Sequence, residues 1–425
     1  MSQYIKLFLP DVEWAMCSSE EAHQRQRFKE LSPLECTASS YKAHPRDRIP
    51  DPNKCVKKYR RSAAGGGVDG HANGHGNRRS LDELEITVNY LLGIIFSTQK
   101  SSNEDNDRFS LLESVLFVDD RIRAVQVDLT IFMGQNQLHE PKTTFINGRQ
   151  NHNNNNSILK IRNIQAKIVR YHLLSQYLLS TLTSKQYEWK FGHKALTTAI
   201  SSYLATWDNF KNDDYTIDQE EKDIIQLDEI MSYTTLLHVA STIYSKEPSI
   251  QSYDTSASKQ KWHGLQCEDG CGMASVLTLY RRYIPIHNSR RKKGITALSC
   301  FPKYQLAVRI AGDIDSGNYL SAIRLLTESE STSLKHISPF LDERSRWQIL
   351  ARCCMSQVMP ALRIGLLRLY NKSFMKQEKV KDDDVRSGLL QKSIEILFFE
   401  YWSKIITTFL INMSYPYFCL VFLFV

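Results

Sequence analysis

Residues 117–130 read FVDDRIRAVQVDLT, and the spacing of the apolar residues in this stretch decides the fold class. Ile122, Val125 and Leu129 recur at intervals of three and four residues, the period of an α-helix with one buried face. Arg121 and Asp128 are seven residues apart, which places them two turns apart along one face. We therefore predict a helix whose apolar stripe is accompanied by charges at fixed positions.

The charges of this helix suit either a structural or a binding role. Asp120 and Arg123 are three residues apart and can pair directly on the helix surface. Charges placed regularly within one helix more naturally link it to a neighbouring helix than form a binding site. We predict that a structural brace is formed by Asp120, Arg121, Arg123 and Asp128.

The same helical period recurs along most of the chain, and no long alternation of apolar and polar residues predicts a sheet. The apolar stripes include Leu84, Val88, Leu91, Leu92 and Ile95; Ile161, Ile164, Ile168, Tyr171 and Leu174; and Ile224, Leu227, Ile230, Leu236 and Leu237. Successive one-sided helices bury their stripes against each other. We predict an all-α protein built as an irregular right-handed helical solenoid.

Polar stretches divide the chain into candidate segments. The run NGRQNHNNNN at 147–156 is predicted to be a surface loop, and DSGN at 315–318 a turn. The predicted division is an N-terminal motif at 1–50, a basic box with a Gly/Asn/His linker at 51–80, a helical solenoid at 81–345, a winged-helix-like module at 346–404 and an apolar tail at 405–425. Within 382–399 only ILFF is a convincing strand, so the module could be incomplete.

The basic box is DPNKCVKKYRRSAAG at residues 51–65. Its cations are Lys54, Lys57, Lys58, Arg60 and Arg61. The spacing of 54, 57, 58 and 61 would place four cations on one face of a helix. Such a face suits phosphate, an acidic partner helix or plain solvent, and the pattern leaves all three open.

A second basic cluster lies at 289–294, SRRKKG, with cations Arg290, Arg291, Lys292 and Lys293. It predicts a nuclear-import patch or a nucleic-acid contact. The whole chain of 425 residues has a net charge of +8, which makes acidic partners such as nucleic acid plausible.

Catalytic and metal-binding patterns do not stand out. The Gly-rich linker follows a basic segment instead of a strand, which argues against a dinucleotide-binding loop. His263, Cys267 and Cys271 lie among glycines without a matching fourth ligand, and His71 and His75 sit in the linker. Nine scattered cysteines without a secretory signal favour reduced thiols. We expect no enzyme activity, no metal and no cofactor.

The last 21 residues are IITTFLINMSYPYFCLVFLFV, which carry no charge. Three interpretations stay open: a membrane anchor, a buried terminal helix and a non-native end. Polar residues and a proline in the middle argue against the anchor, so no membrane partner is expected.

Three stretches resemble the GANP family of mRNA-export scaffolds. The first, at 16–35, matches at Met16, Cys17, Glu21, Arg25, Pro33, Leu34 and Glu35, with Ser18 in place of the family proline. The second is the basic box, matched at 51–52 and 56–65. The third is FVDDRIRAVQVDLT, which departs from the family pattern at Gln126 and Val127. Weaker matches occur at 170–172, 229–237 and 317–319.

The resemblance implies a non-enzymatic nuclear scaffold in transcription-coupled mRNA export, with a helical solenoid and a winged helix of the PCI type. Its implied partners are a second PCI-domain protein, a small acidic proteasome-lid peptide, and RNA or DNA. The chain is similar to the short, stand-alone members of the family, without FG repeats or a centrin-binding helix. Some of these members act at the centrosome and spindle, so a centrosomal scaffold is the alternative function, with cytoplasm or centrosome as alternative locations.

Overall fold

A computed structural model describes residues 13–60, 79–98, 109–138, 151–179, 186–209, 217–246, 301–327 and 343–356, with a few single residues between and beyond these ranges. These parts of the chain contain nine α-helices, one 3₁₀ turn and no strand. The prediction of an all-α protein is confirmed. The predicted winged-helix strand and the apolar tail lie outside the described residues.

The described residues divide into two compact units. Unit 1 lies within Met1–Tyr171 and Ser202–Tyr215, and unit 2 within His172–Ser201 and Thr216–Val425. The helices are α1 (Ser19–Arg27), α2 (Leu81–Thr98), α3 (Leu111–Leu138), α4 (Asn151–Leu178), α5 (Trp189–Asn209), α6 (Ile217–Lys246), α7 (Pro302–Asp315), α8 (Tyr319–Thr327) and α9 (Glu343–Met355), with the 3₁₀ turn at Pro33–Glu35.

A repeated local signal marks the starts of the first three helices and of the 3₁₀ turn. Ser-x-x-Glu occurs immediately before α1, the 3₁₀ turn, α2 and α3, at 18–21, 32–35, 80–83 and 110–113. At α2, Ser80 Oγ accepts from Glu83 N at 3.3 Å while Glu83 Oε2 accepts from Ser80 N at 2.6 Å. This reciprocal capping satisfies amide groups that the first helical turn leaves without partners. Ser18 caps α1 in the same way from its side chain, so the serine that replaces the family proline has a structural use.

The cores of the units are built from the predicted stripes. In unit 1 the apolar stripe of α2, from Leu84 to Ile95, packs with α3, where Ile122, Val125 and Leu129 are buried. In unit 2 the stripe of α6, from Ile224 to Leu237, is buried where α7 and α9 pack against that helix. The helical period of the sequence therefore identified the buried faces correctly.

The asparagine-rich run was predicted to be a loop, and this was wrong for residues 151–156, which form the first turns of α4. Asparagine costs only a few tenths of a kcal/mol, about 0.5, relative to alanine within a helix. The long apolar stripe that follows extends the helix backwards into this polar stretch.

The predicted turn at 315–318 is confirmed. Helix α7 ends at Asp315, and Gly317 follows with φ of 81°, a left-handed conformation that favours glycine. Asn318 N donates to Asp313 O at 2.7 Å, which closes the end of the helix. Helix α8 then starts at Tyr319 and packs on α7.

The N-terminus of α7 is capped by a residue of another helix. Phe301 occupies the N-cap position and provides no side-chain acceptor. Instead, the buried carboxylate of Asp228 in α6 accepts from Lys303 N at 3.0 Å and from Tyr304 N at 2.7 Å. A carboxylate at this end also opposes the positive end of the helix dipole. One side chain therefore both starts α7 and fixes it against α6.

We predict that Asp228→Ala lowers the free energy of unfolding of unit 2 by about 2 kcal/mol, because two amide groups at the start of α7, one of them buried, lose their acceptor. Urea denaturation followed by circular dichroism measures this. Asp315→Ala at the opposite end of α7 is the control and should change stability by less than about 0.5 kcal/mol. Equal effects of the two substitutions would contradict the capping role.

Candidate nucleic-acid and partner interface

The N-terminal motif and the basic box fold around the carboxylate of Glu35, which is fully buried. Arg25 in α1 donates from Nη1 to both carboxylate oxygens, at 2.7 and 2.8 Å. Val56 N, in the basic box, donates to Oε1 at 3.0 Å, and Arg25 Nη2 donates to Val56 O at 3.1 Å. Residues of the first and second motifs are therefore joined through one buried ion pair.

The third motif reaches the same carboxylate. Arg121 of α3 donates from Nη2 to Glu35 Oε2 at 2.9 Å and from Nε to Oε1 at 3.3 Å. Arg121 also pairs with Asp120, whose carboxylate accepts from Tyr59 N at 3.4 Å. All three stretches that carry the family resemblance meet at Glu35.

A second buried ion-pair cluster lies two turns further along α3. Asp128 accepts from Lys57 Nζ at 3.0 Å and from Arg79 Nε at 2.9 Å. All three side chains are less than 10% exposed. The basic box is therefore attached to α3 at two points, once through Glu35 and once through Asp128.

The electrostatics of the Glu35 cluster favour ionised partners. Burial alone would raise the pKa of Glu35, but Arg121 and Arg25 outweigh it and hold the pKa below its ordinary value of 4.5. For Arg25, burial acts to lower the pKa, and the Glu35 carboxylate outweighs it and raises the pKa above its ordinary value. The pair is thus charged at neutral pH and must be kept complete, because an uncompensated charge is costly in the interior.

Three thiols pack beside these ion pairs. Cys17, Cys36 and Cys55 are free, buried and part of one apolar cluster with Ala22 and Leu31. Burial raises the pKa of Cys17 to about 12 and the pKa of Cys36 to about 11. Protonated, enclosed thiols are poor nucleophiles, so this cluster has a packing role.

The basic box does not form the predicted helical face. Residues 55–60 have no helical structure, since Lys57 N donates to Met16 O and Val56 N to Glu35. These contacts with distant parts of unit 1 hold the box in an irregular conformation, and they override any local helical preference. The expectation of four aligned surface cations was therefore wrong for the described part of the box.

The cations of the box have different environments. Lys54 is buried and its Nζ contacts Asp51 at 2.7 Å and Cys36 O at 3.2 Å. Lys57 is buried against Asp128. Lys58 is partly exposed and pairs with Glu30 at 3.2 Å, whereas Arg60 is exposed. Two of the four described cations therefore serve the interior.

The predicted brace residues are also distinguished by the structure. Arg121 and Asp128 are buried and Asp120 is half-buried, with the contacts described above. Arg123 is exposed, and the expected pair between Asp120 and Arg123 was wrong because Asp120 binds Arg121 instead. The helical rotation of two positions turns Arg123 away from the residues that surround Arg121.

Sequence reasoning assigned no structural role to the acceptor Glu35 or to the donors Arg25 and Arg79. Glu35 and Arg25 were identified only as matches to the family, although a Ser-x-x-Glu pattern marked Glu35 as a capping residue. Arg79 carried no signal, because its partner Asp128 is 49 residues away in the chain.

Several predicted residues lie outside the described part of the chain: Arg61, Arg290, Arg291, Lys292, Lys293, His71, His75, His263, Cys267 and Cys271. Among the residues that the structure does describe, no group of His, Cys, Asp and Glu could hold a metal ion. No helix in the described ranges is both long and apolar enough to cross a bilayer.

We predict that Arg121→Ala lowers the free energy of unfolding by about 3 kcal/mol, because the buried Glu35 carboxylate loses one of its two guanidinium partners and the two hydrogen bonds from it. Arg123→Ala, two positions away on the exposed side, should cost less than about 0.5 kcal/mol. Thermal and urea denaturation of the two variants test this contrast. Comparable losses in both would show that Glu35 does not depend on Arg121.

The lowered pKa of Glu35 also predicts a pH dependence. Glu35 contributes its full stabilisation above pH 4.5, and that contribution is lost as the pH falls through the lower folded-state pKa. The difference in unfolding free energy between the wild type and Glu35→Gln should therefore be large at pH 7 and shrink in acid. Urea titrations over a pH series measure it, and a difference independent of pH would contradict the ionised state of Glu35.

The chain matches one known protein family over most of its length. Residues 16–400 match the SAC3/GANP family, a span that includes the Glu35 cluster, both described units and the late turn at Gly317. No curated protein and no solved structure matches the chain. The SAC3/GANP family is a scaffold family linked to mRNA export. Since the match covers most of the chain, this protein belongs to the SAC3/GANP family.

Proposed function

We propose that this protein is a non-enzymatic nuclear scaffold in transcription-coupled mRNA export, which pairs with a second PCI-domain protein and binds nucleic acid. The observation that carries the proposal is the family match across residues 16–400. The match coincides with a helical structure in which the family motifs make internal contacts. A scaffold needs such a fixed frame, whereas its binding surfaces lie on residues that the frame leaves exposed.

The charge distribution supports an acidic partner. Lys54 and Lys57 are occupied by internal carboxylates, but Arg60 is exposed at the end of the box. The cluster at 290–293 adds four consecutive cations in sequence. An exposed cation such as Arg60 is available for phosphate, and phosphate contacts are a large source of affinity for nucleic acid.

A cleft in unit 2 supports the proposed acidic peptide partner. Helices α7 and α8 border a cavity of about 330 Å³ lined by Arg309, Asn318, Leu320, Ser321, Arg324 and Leu325. Two guanidinium groups beside leucine side chains suit a peptide that alternates carboxylates with apolar residues. The match to the family includes this cleft.

Two experiments test the proposal. In the first, the full chain is mixed with a PCI-domain protein and the acidic peptide, and complex formation is measured by size-exclusion chromatography. In the second, the protein is crosslinked by ultraviolet light to polyadenylated RNA in nuclei. A stable ternary complex that crosslinks to RNA is the expected result. Recovery of tubulin and centrosomal proteins without RNA would instead support the centrosomal scaffold. Turnover of a small molecule abolished by one substitution would contradict the non-enzymatic function.

Within the basic box we predict a division between folding and binding. Lys57→Ala should lower the free energy of unfolding by about 3 kcal/mol, because the buried Asp128 carboxylate loses one of its two cationic partners. Arg60→Ala should leave stability within about 0.5 kcal/mol of the wild type, since an exposed charge contributes little. Denaturation curves of the two variants test the division, and an unchanged stability for Lys57→Ala would return that lysine to the binding surface.

A further inference from the structure

An exposed aromatic side chain lies between two exposed cations at the end of α1. Phe28 is 64% exposed, and Arg27 and Lys29 on either side of it are also exposed. Phe28 follows the last helical residue, and Lys29 has φ of 61°, so the chain turns sharply here. The turn is fixed by Phe28 N and Glu30 N, which donate to Gln24 O and Arg25 O. The phenyl ring is thus presented to solvent from a rigid base.

A second exposed segment lies next to this turn. Gln26 Nε2 donates to Arg48 O at 2.9 Å, and Arg48 Nη1 donates to Leu31 O at 2.8 Å. These bonds place the segment that contains Arg46 and Ile49 beside the end of α1. Ile49 is 52% exposed although its backbone is held by Ser40 and Thr37. We call these residues the Phe28 surface: Arg27, Phe28, Lys29, Arg46 and Ile49. Their side chains are exposed, whereas the backbone that carries them is held by hydrogen bonds.

The charge of this surface is not used by the fold. Arg27, Lys29 and Arg46 make no ion pair within the part of the chain that the structure describes. Two carboxylates are close in sequence: Glu30 is engaged by Lys58, and Asp47 is exposed beside Arg46. This contrasts with Lys54 and Lys57, whose ammonium groups are buried on carboxylates. The surface keeps a net positive charge around its aromatic ring.

We propose that the Phe28 surface binds single-stranded RNA, with a base stacked on Phe28 and phosphates held by Arg27, Lys29 and Arg46. An exposed ring surrounded by unpaired cations is the combination that single-stranded nucleic acid requires. A protein partner would be expected to meet a larger apolar area and fewer uncompensated cations at its core. The inference rests on the nucleic-acid binding in the proposed function and locates it outside the buried part of the basic box.

The test uses the full chain and a fluorescein-labelled oligouridylate of about 15 nucleotides, with affinity measured by anisotropy over a series of salt concentrations. Phe28→Ala should weaken binding by about tenfold through loss of stacking. The triple variant Arg27→Gln, Lys29→Gln and Arg46→Gln should flatten the slope of log affinity against log salt by about two units, since each lost contact removes about 0.7.

Matched controls come from unit 2, where Phe191 is 54% exposed and Lys194, Arg281 and Arg282 are exposed cations. Phe191→Ala, and glutamine at these three cations, should leave affinity and slope unchanged. Melting temperatures within about 2 °C of the wild type establish that every variant is folded. Because all substituted side chains are exposed, folding is expected to persist.

The outcomes separate this inference from the function on which it rests. If the wild type binds the oligonucleotide and the surface variants bind equally well, the proposed surface is wrong while nucleic-acid binding by the scaffold stands. If the wild type does not bind RNA, alone or with its PCI partner, both are overturned. Loss of a protein partner by Phe28→Ala, with RNA binding intact, would assign the surface to a protein instead.

Discussion

The structure of unit 1 depends on keeping the buried charge of Glu35 compensated. A lone carboxylate in a protein interior costs several kcal/mol or more, and this one is tolerated because two arginines and two backbone amides surround it. The arginines belong to α1 and α3, and one of the amides belongs to the basic box. Satisfying one carboxylate therefore requires three segments, separated by up to 86 residues in the chain, to be in place together.

This requirement explains why the stretches that carry the family resemblance are internal. Their charged side chains form ion pairs with one another: Glu35 pairs with Arg25 and Arg121, and Asp128 pairs with Lys57 and Arg79. An incorrect pairing would leave a buried charge without compensation, which is strongly destabilising. The consequence for function is that binding surfaces must be sought on residues that these clusters do not use.

Unit 2 is organised by a smaller version of the same constraint. Asp228 is buried in α6 and its carboxylate accepts two amide groups of α7, a helix that provides no cap of its own. Trp347 of α9 donates its ring N–H to Ser232 Oγ of α6 at 2.5 Å. In each case a polar group of one helix forms a hydrogen bond with a polar group of another helix. These hydrogen bonds, in addition to apolar packing, fix the positions of the helices relative to one another.

The sequence by itself determined the all-α class, the buried stripes and the turn at Gly317, because these depend on helical period and on local backbone conformation. The four Ser-x-x-Glu caps are local in the same way, because each joins residues at most three apart. The sequence did not determine whether a given cation faces inward or outward: Lys57 is buried on Asp128, 71 residues away, whereas Arg60 is exposed. Nor did it show that Arg121 and not Arg123 would meet Glu35. Only the tertiary structure decided these assignments, since the free energy of a charge depends on the partners and solvent around it, and those partners come from distant parts of the chain.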